Sequence, residues 1–377
     1  MVTSDELMER AVAQTGLTDF GDDSFREGLE LLVGSFGDEA NLNATGEAVI
    51  HPRLVRTLGQ RLQVEDWYRR HPEIDDVEVR SPVFGIGLPR TGSTALSLLL
   101  AQDPNRRFIR RWESSEPCPP PSTVVGPDPR IDHALDERVG SRSHVPEDGP
   151  NGPMECLDIL GLDFKTHLYL AFGRIPTYAD WLLDANLDSA YRYECRVLKL
   201  LSWGMPNQPW HLKTPVHALY IPSILAAFPD ARFVMTHRDP TDVLLSVSEL
   251  FRDVFANFTD DVDCEYIGSL NLRVWSTAMD RVVAHRAAHG DERFYDIDFR
   301  AMQADPLAEV RALYEWLGEP VSDDFAAGMA SWWQHSQESR EPAPAADPAT
   351  FGLDVGAIRP RFADYVAHAE RWVNRKT

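Results

Sequence analysis

Residues 85–94 read GIGLPRTGST, and how this stretch is read decides the fold. From Gly87 it follows the phosphate-cradling pattern G-x-x-x-x-G-K-[ST], except that Ser93 stands in the lysine position. The nearest basic residue, Arg90, lies inside the loop. PVFGIG before it is a short apolar run, as expected of a buried strand, and ALSLLLAQ after it predicts a helix. That context gives the loop its meaning. Gly85, Gly87 and Gly92 permit tight turns and close backbone approach. Amide groups at the start of the helix point into the loop, and the helix dipole favours an anion there. Ser93 and Thr94 add hydroxyls. Without its lysine, and with no strand ending in an evident magnesium-binding aspartate, the loop does not suit a magnesium triphosphate. The planar donor fork of Arg90 suits a phosphate or a developing negative charge.

A second constellation lies further along. ARFVMTH, residues 231–237, is the clearest strand in the chain, and it runs into RDPTDVLLSVSELF. Asp239 is placed to cap a helix, Pro240 suits its first position, and Val243, Val247, Leu250 and Val254 form its apolar stripe. Arg238 lies just before this helix and Ser246 two turns inside it, at the carboxyl end of a strand, where open α/β sheets bind ligands. Taken alone, Arg238 reads as the partner of an acidic neighbour. Beside the first loop, Arg238 and Ser246 read as a second anion site. Two such sites on one sheet fit a nucleotide phosphorylated at both its 3′ and 5′ positions.

The remaining pattern predicts an α/β fold with a mostly parallel central sheet flanked by helices. Residues 1–78 form a helical N-terminal extension on a main domain of residues 79–377. Leu54, Leu58, Leu62 and Trp67 mark one face of a helix over about 51–70. RRFIRRW at 106–112, PWHLKTP at 209–215 and RFYDIDF at 293–299 read as further strands. Helices are expected at 153–172, 177–186, 189–203 and 356–373, in VHALYIPSILAAF, and in DPLAEVRALYEWLG, which Gly318 stops. EPCPPPSTVVGPDP and EPAPAADPAT at 341–350 read as loops.

Bulk composition narrows the function. Of 377 residues, 37 are basic and 59 acidic, a net charge of −22, which repels nucleic acid and anionic polymers at long range. An anionic ligand then needs a local basic pocket. The four cysteines, Cys118, Cys156, Cys195 and Cys264, are dispersed and fit free thiols better than a disulfide framework or a zinc site. No apolar run is long enough to span a bilayer, and MVTSDELMER has no signal-like apolar core. The expectation is a soluble cytoplasmic protein with a small-molecule partner, without nucleic acid or stable membrane insertion; its oligomeric state is open.

Taken together, these residues resemble the bacterial PAPS-dependent sulfotransferases, a P-loop-like family distantly related to the tyrosylprotein sulfotransferases. PAPS is 3′-phosphoadenosine 5′-phosphosulfate. PVFGIGLPRTGSTALSLLLAQDP resembles the family's 5′-phosphosulfate loop, and HLKTPVHALYIPSILAAFPDARFVMTHRDPTDVLLSVS its 3′-phosphate region. The likeness extends from FREGLELLVGSFGDEANLN to FGLD, nearly the whole chain. It implies transfer of a sulfuryl group from PAPS, leaving PAP (3′,5′-ADP), with no metal required. By this resemblance Arg90 sits at the sulfuryl group, and Thr91, Gly92, Ser93 and Thr94 bind the 5′-phosphosulfate. Arg238 and Ser246 bind the 3′-phosphate, and Lys213 in HLKTP contacts the transferring sulfonate. The ending R-K-G of the cytosolic sulfotransferases is absent, and Arg340 is the residue placed to close over the 3′-phosphate.

Such a transfer needs a base for the acceptor proton. Glu113 is the first candidate, near the carboxylate that serves in the tyrosylprotein branch, although a small insertion shifts the register; His144 and His211 are the alternatives. Glu155 in GPMEC reads as a helix cap, with orientation of the acceptor as its other reading. Ten tryptophans and 17 phenylalanines permit an apolar pocket for a small, largely apolar alcohol, phenol, lipid-like hydroxyl or amine. The competing readings are a nucleotide kinase or triphosphatase with a variant loop, and a nucleotide-binding protein without turnover.

Overall fold

A computed structural model describes residues 2–136, 149–338 and 346–374. His144, Arg340 and residues 341–345 of the second proline-rich stretch lie outside the described residues. Five parallel strands form one sheet: β1 (Val83–Gly87), β2 (Arg107–Phe108), β3 (Trp210–Lys213), β4 (Arg232–His237) and β5 (Phe294–Asp298), in the order β2-β3-β1-β4-β5. β1 is central, pairing with β3 on one side and β4 on the other. The order reverses there, so the carboxyl ends of β1, β3 and β4 open into one crevice.

Alternation along the strands divides two cores. Phe84, Ile86, Leu212, Phe233, Met235 and Phe294 face the larger one. Val83, Val234, Tyr295 and Ile297 face the smaller one, where the helices Ser93–Leu100, Pro306–Leu317 and Asp323–Glu338 pack. A parallel sheet covered on both faces needs apolar residues in both registers, which is why β1 is buried throughout. The N-terminal helices Ser4–Thr15, Arg26–Asp38 and Ala44–Arg70 bury Leu7, Leu29, Leu32, Leu54, Leu58 and Leu62 in the larger core.

Several elements depart from the sequence reading. Ala44–Arg70 begins about two turns earlier than expected, because it runs through Pro52 and is capped at Asn43, whose side chain accepts the Gly46 amide. The strand expected over 106–112 is only Arg107–Phe108; the chain then turns helical at Arg111–Ser115, where the Glu113 carboxylate accepts the Arg110 amide. The helix expected over 153–172 is two short pieces, Leu157–Gly161 and the 3-10 turn His167–Ala171, separated at Phe164, which has φ +52°. VHALYIPSILAAF breaks at Tyr220 into a 3-10 turn and Ile221–Ala227, and the last helix divides at Phe362. Cys264–His289 presents no single apolar stripe because it is buried from several sides, including at Ile267, Leu270, Val274, Met279 and Val282.

Candidate active site

The glycine-rich loop leaves β1 at Gly87, with φ +122°, where a side chain would press on the Thr236 carbonyl 2.9 Å away. Arg90 takes φ +59°, a conformation rarely populated by side-chain-bearing residues and costing on the order of 1–3 kcal/mol. The Thr91 hydroxyl, buried, donates to the Leu88 carbonyl at 2.8 Å and lies 2.6 Å from the Thr236 hydroxyl, so the loop is tied to β4. Gly92, φ +82°, begins the helix Ser93–Leu100 and packs against Phe299; a side chain there would come within 3.2 Å of that ring. The first amides of the helix, from Ser93 to Ala95, precede any intrahelical acceptor and face the loop.

The two arginines meet. Arg90 donates from Nε to Ser246 Oγ at 3.0 Å, and Arg238 donates from Nη1 to the Arg90 carbonyl at 3.0 Å. The sequence reading separated a loop site from an Arg238–Ser246 site; adjacency of β1 and β4 merges them into one basic cluster. Arg238 also stacks on Phe299, 4.8 Å from the ring centroid, and reaches Asp242 at 3.4 Å with an exposed carboxylate. Among the described residues Arg90 has no carboxylate partner. Burial, and then the Arg238 charge, hold the Arg90 pKa below the ordinary arginine value. Two guanidinium groups held together with little counter-charge attract an anion.

Lys213 ends β3 opposite Gly85. The glycine at 85 gives it room, since a side chain there would come within 3.0 Å of Lys213 Cγ. The Lys213 ammonium, nearly buried, donates to Thr94 Oγ1 at 3.2 Å and to Glu155 Oε1 at 2.6 Å, and the Thr214 hydroxyl donates to Glu155 Oε2 at 2.9 Å. The expected cap role of Glu155 is corrected here: the helix Leu157–Gly161 has Cys156 at its cap and no side-chain cap bond, and Glu155 turns to Lys213 instead.

A cavity of about 830 Å³ opens on these residues. Arg90, Gly92, Ser93, Thr94, Glu155 and Arg238 line one part; Leu170, Phe172, Phe251, Val254, Val274 and Trp275 line another. Phe251 and Val254 come from the helix Pro240–Phe255, which also carries Ser246, the hydrogen-bond partner of Arg90. His167 also lines it; burial pushes its pKa down to about 3, and among the described residues its Nδ1 has no partner.

Glu113 is elsewhere. It is fully buried, with Oε1 accepting from Arg107 Nη2 at 2.7 Å and Oε2 from the Arg110 amide at 3.0 Å, and it is not in the cavity wall. His211 lies within β3, opposite Val83 and Phe108, where burial pushes its pKa down to about 3. The sequence reading thus missed three cavity features: the Lys213–Glu155 pair, His167, and Phe299 beneath Arg238. A strand-end residue such as Phe299 is locally legible; a pair 58 residues apart is not.

The sulfotransferase family model matches residues 82–323, from just before β1 to the start of Asp323–Glu338. The chain belongs to the sulfotransferase family. The chain superposes on the crystal structure of sulfotransferase STF9 from Mycobacterium avium with TM-score 0.90 and 34% identity, over 98% of this chain and 97% of that one. It matches sulfotransferase STF1 from Mycobacterium tuberculosis H37Rv with TM-score 0.84 and 28% identity, over 96% and 98%. It is 26% identical over 257 residues to the omega-hydroxy-beta-dihydromenaquinone-9 sulfotransferases Stf3 of Mycobacterium bovis and Mycobacterium tuberculosis. That match covers 63% of this chain and 62% of those relatives' length. No described helix of the chain is long and apolar enough to cross a membrane.

Proposed function

We propose that this sulfotransferase uses PAPS as donor and transfers its sulfuryl group to the hydroxyl, or amine, of a small and largely apolar acceptor. The carrying observation is that a single cavity joins a basic cluster to an apolar wall. When bound, PAPS supplies the activated sulfuryl group and a 5′-phosphate leaving group. The residues fit it: helix-start amides, Ser93, Thr94 and Arg90 gather where a phosphosulfate would lie, and Arg238 with Ser246 suits the 3′-phosphate. Arg90 and Lys213 are then placed to stabilise charge on the departing oxygen, the term that dominates such transfers. Thr91 holds the loop to β4 rather than pointing into the cavity. Glu113 supports this arrangement from beneath, fixing the turn after β2 through Arg107.

The apolar wall supports an apolar acceptor, and the omega-hydroxy group of the dihydromenaquinone for which the Stf3 relatives are named is of the proposed kind. The test has two arms. Calorimetry should give tight binding of 3′,5′-ADP and much weaker binding of ATP with magnesium; the reverse order would end the PAPS reading. Radiolabelled PAPS should then pass label to members of a panel of phenols, long-chain alcohols and isoprenoid alcohols. Tight 3′,5′-ADP binding without transfer to any of them would end the acceptor assignment.

A further inference from the structure

We propose that Glu155 is the general base that removes the acceptor proton, an assignment that rests on the sulfuryl-transfer reading above. Three observations carry it. First, among the described residues Glu155 is the one carboxylate in the cavity wall. Second, it is next to the reacting end of that cavity: Lys213 joins its Oε1, at 2.6 Å, to the Thr94 hydroxyl of the loop, at 3.2 Å. Third, its orientation does not depend on that lysine alone, because Thr214 donates to the other oxygen at 2.9 Å.

Among the described residues the rival groups are each committed or unsuited. Glu113 already accepts from Arg107 and from the Arg110 amide, and reaching it would mean opening a buried ion pair. His167 lines the cavity with its pKa held at about 3 by burial, and among the described residues nothing bonds its Nδ1 to aim the ring, whereas Lys213 and Thr214 aim Glu155. His211 has the same depressed value and lies inside the sheet.

The arrangement also makes proton removal conditional on the donor. Lys213 carries one positive charge and touches both Glu155 and the loop. An anion seated at Thr94 competes for that ammonium, and as Lys213 turns towards it, Oε1 of Glu155 loses its cationic partner while Thr214 keeps the carboxylate aimed. Glu155 Oε1 then takes the proton from the acceptor O–H. An electron pair of the acceptor oxygen forms the new O–S bond. The S–O bond to the 5′-phosphate breaks, and its electron pair leaves on the phosphate oxygen, facing Arg90 and Lys213. The products are the sulfate ester and 3′,5′-ADP, and the Glu155 carboxylic acid returns its proton to water.

The experiment compares Glu155→Gln, Glu155→Asp, Glu113→Gln and His167→Gln in the full chain. The acceptors are an alcohol from the panel that wild type sulfates and its fluorinated analogue, whose hydroxyl is more acidic. Glu155→Gln should lower kcat for the alcohol by about 10²–10⁴-fold. Its Kd for 3′,5′-ADP should stay within about threefold of wild type or tighten, because Lys213 is released. Glu155→Asp should keep more of the turnover, and the loss in Glu155→Gln should shrink with the fluorinated acceptor, which needs less help in ionising. A kcat within about threefold of wild type would overturn the assignment. So would an equal loss on both acceptors, which is what a merely structural pair with Lys213 predicts, or a larger base-type loss in His167→Gln or Glu113→Gln. Failure of the sulfuryl-transfer reading would show in wild type itself, as absent 3′,5′-ADP binding or absent transfer. Failure of the base assignment alone would show only in the variants.

Discussion

His237 and Arg238 are neighbours in sequence at the end of β4, yet they belong to opposite kinds of charged environment. His237 faces a closed network. Its Nε2 lies 2.8 Å from Asp296, and Asp296 also accepts two bonds from Arg286, at 2.7 and 2.9 Å. Arg286 pairs further with Asp291 at 2.6 Å and stacks on Trp372. Arg238 faces the loop and meets another arginine's backbone, one exposed acid at the limit of bonding distance, and the cavity. In the first region positive and negative charges cancel within the protein. In the second, positive charge is left over. The difference separates a buried arginine that holds the fold, Arg286, from two half-buried arginines positioned to hold a ligand.

Arg286→Ala should cost about 3–5 kcal/mol in urea unfolding, since it leaves Asp296 buried without its main partner. Folded protein should still bind 3′,5′-ADP; a variant of normal stability and poor binding would reverse the two roles. Arg90→Ala should do the opposite. The proposed function predicts a fall of about 10²–10³-fold in kcat, as for removal of a charge-stabilising donor, with thermal stability unchanged or raised because two like charges no longer face each other. A gentler probe is Arg238→Ala. A charged hydrogen bond is worth about 1.5–3 kcal/mol, so 3′,5′-ADP affinity should fall by roughly 10–150-fold. Binding of adenosine 5′-phosphosulfate, which lacks the 3′-phosphate, should change little in calorimetry.

Titration sharpens the closed side. Burial by itself raises the Asp296 pKa, but hydrogen bonds from Arg286 and His237 outweigh it and hold the value at about 2. Its folded pKa is therefore depressed, and its contribution to stability is present above about pH 4 and lost as pH falls towards 2. His167, His211 and His217 have pKa values pushed down to about 3 by burial. Their contribution is present above about pH 6.5 and declines from there towards pH 3, so urea midpoints should begin to drop well before Asp296 titrates. Burial raises Glu194 to about 8, the reverse case: stability is full below the ordinary carboxylate value and is lost as pH rises through 8. Glu194→Gln should therefore raise the melting temperature at pH 9 and leave it unchanged at pH 4. The smallest expected effect is none: a chelator should leave sulfuryl transfer untouched, since the proposed chemistry uses arginine and lysine where a phosphoryl-transfer enzyme uses magnesium.

Features that depend on a few consecutive residues can be read from the chain alone. The strand–loop–helix at 83–100, the Asp239 cap accepting the Thr241 amide, and the position of Arg238 after a strand were all legible, because glycine tolerance, capping and apolar runs act over short spans. The parallel sheet followed from that alternation. Tertiary structure decided which charges cancel. Glu113 looked available beside a loop, but Arg107 folds back onto it, and a single helical turn replaces the expected strand. Glu155 looked like a cap, and only the packing of β3 beside β1 brings Lys213 to it. Arg90 and Ser246 are 156 residues apart and touch because β1 and β4 are neighbours. A side chain's type is written in the chain, but its free charge is the remainder after partners have been counted. Those partners arrive from distant segments that only the closed fold brings within bonding distance.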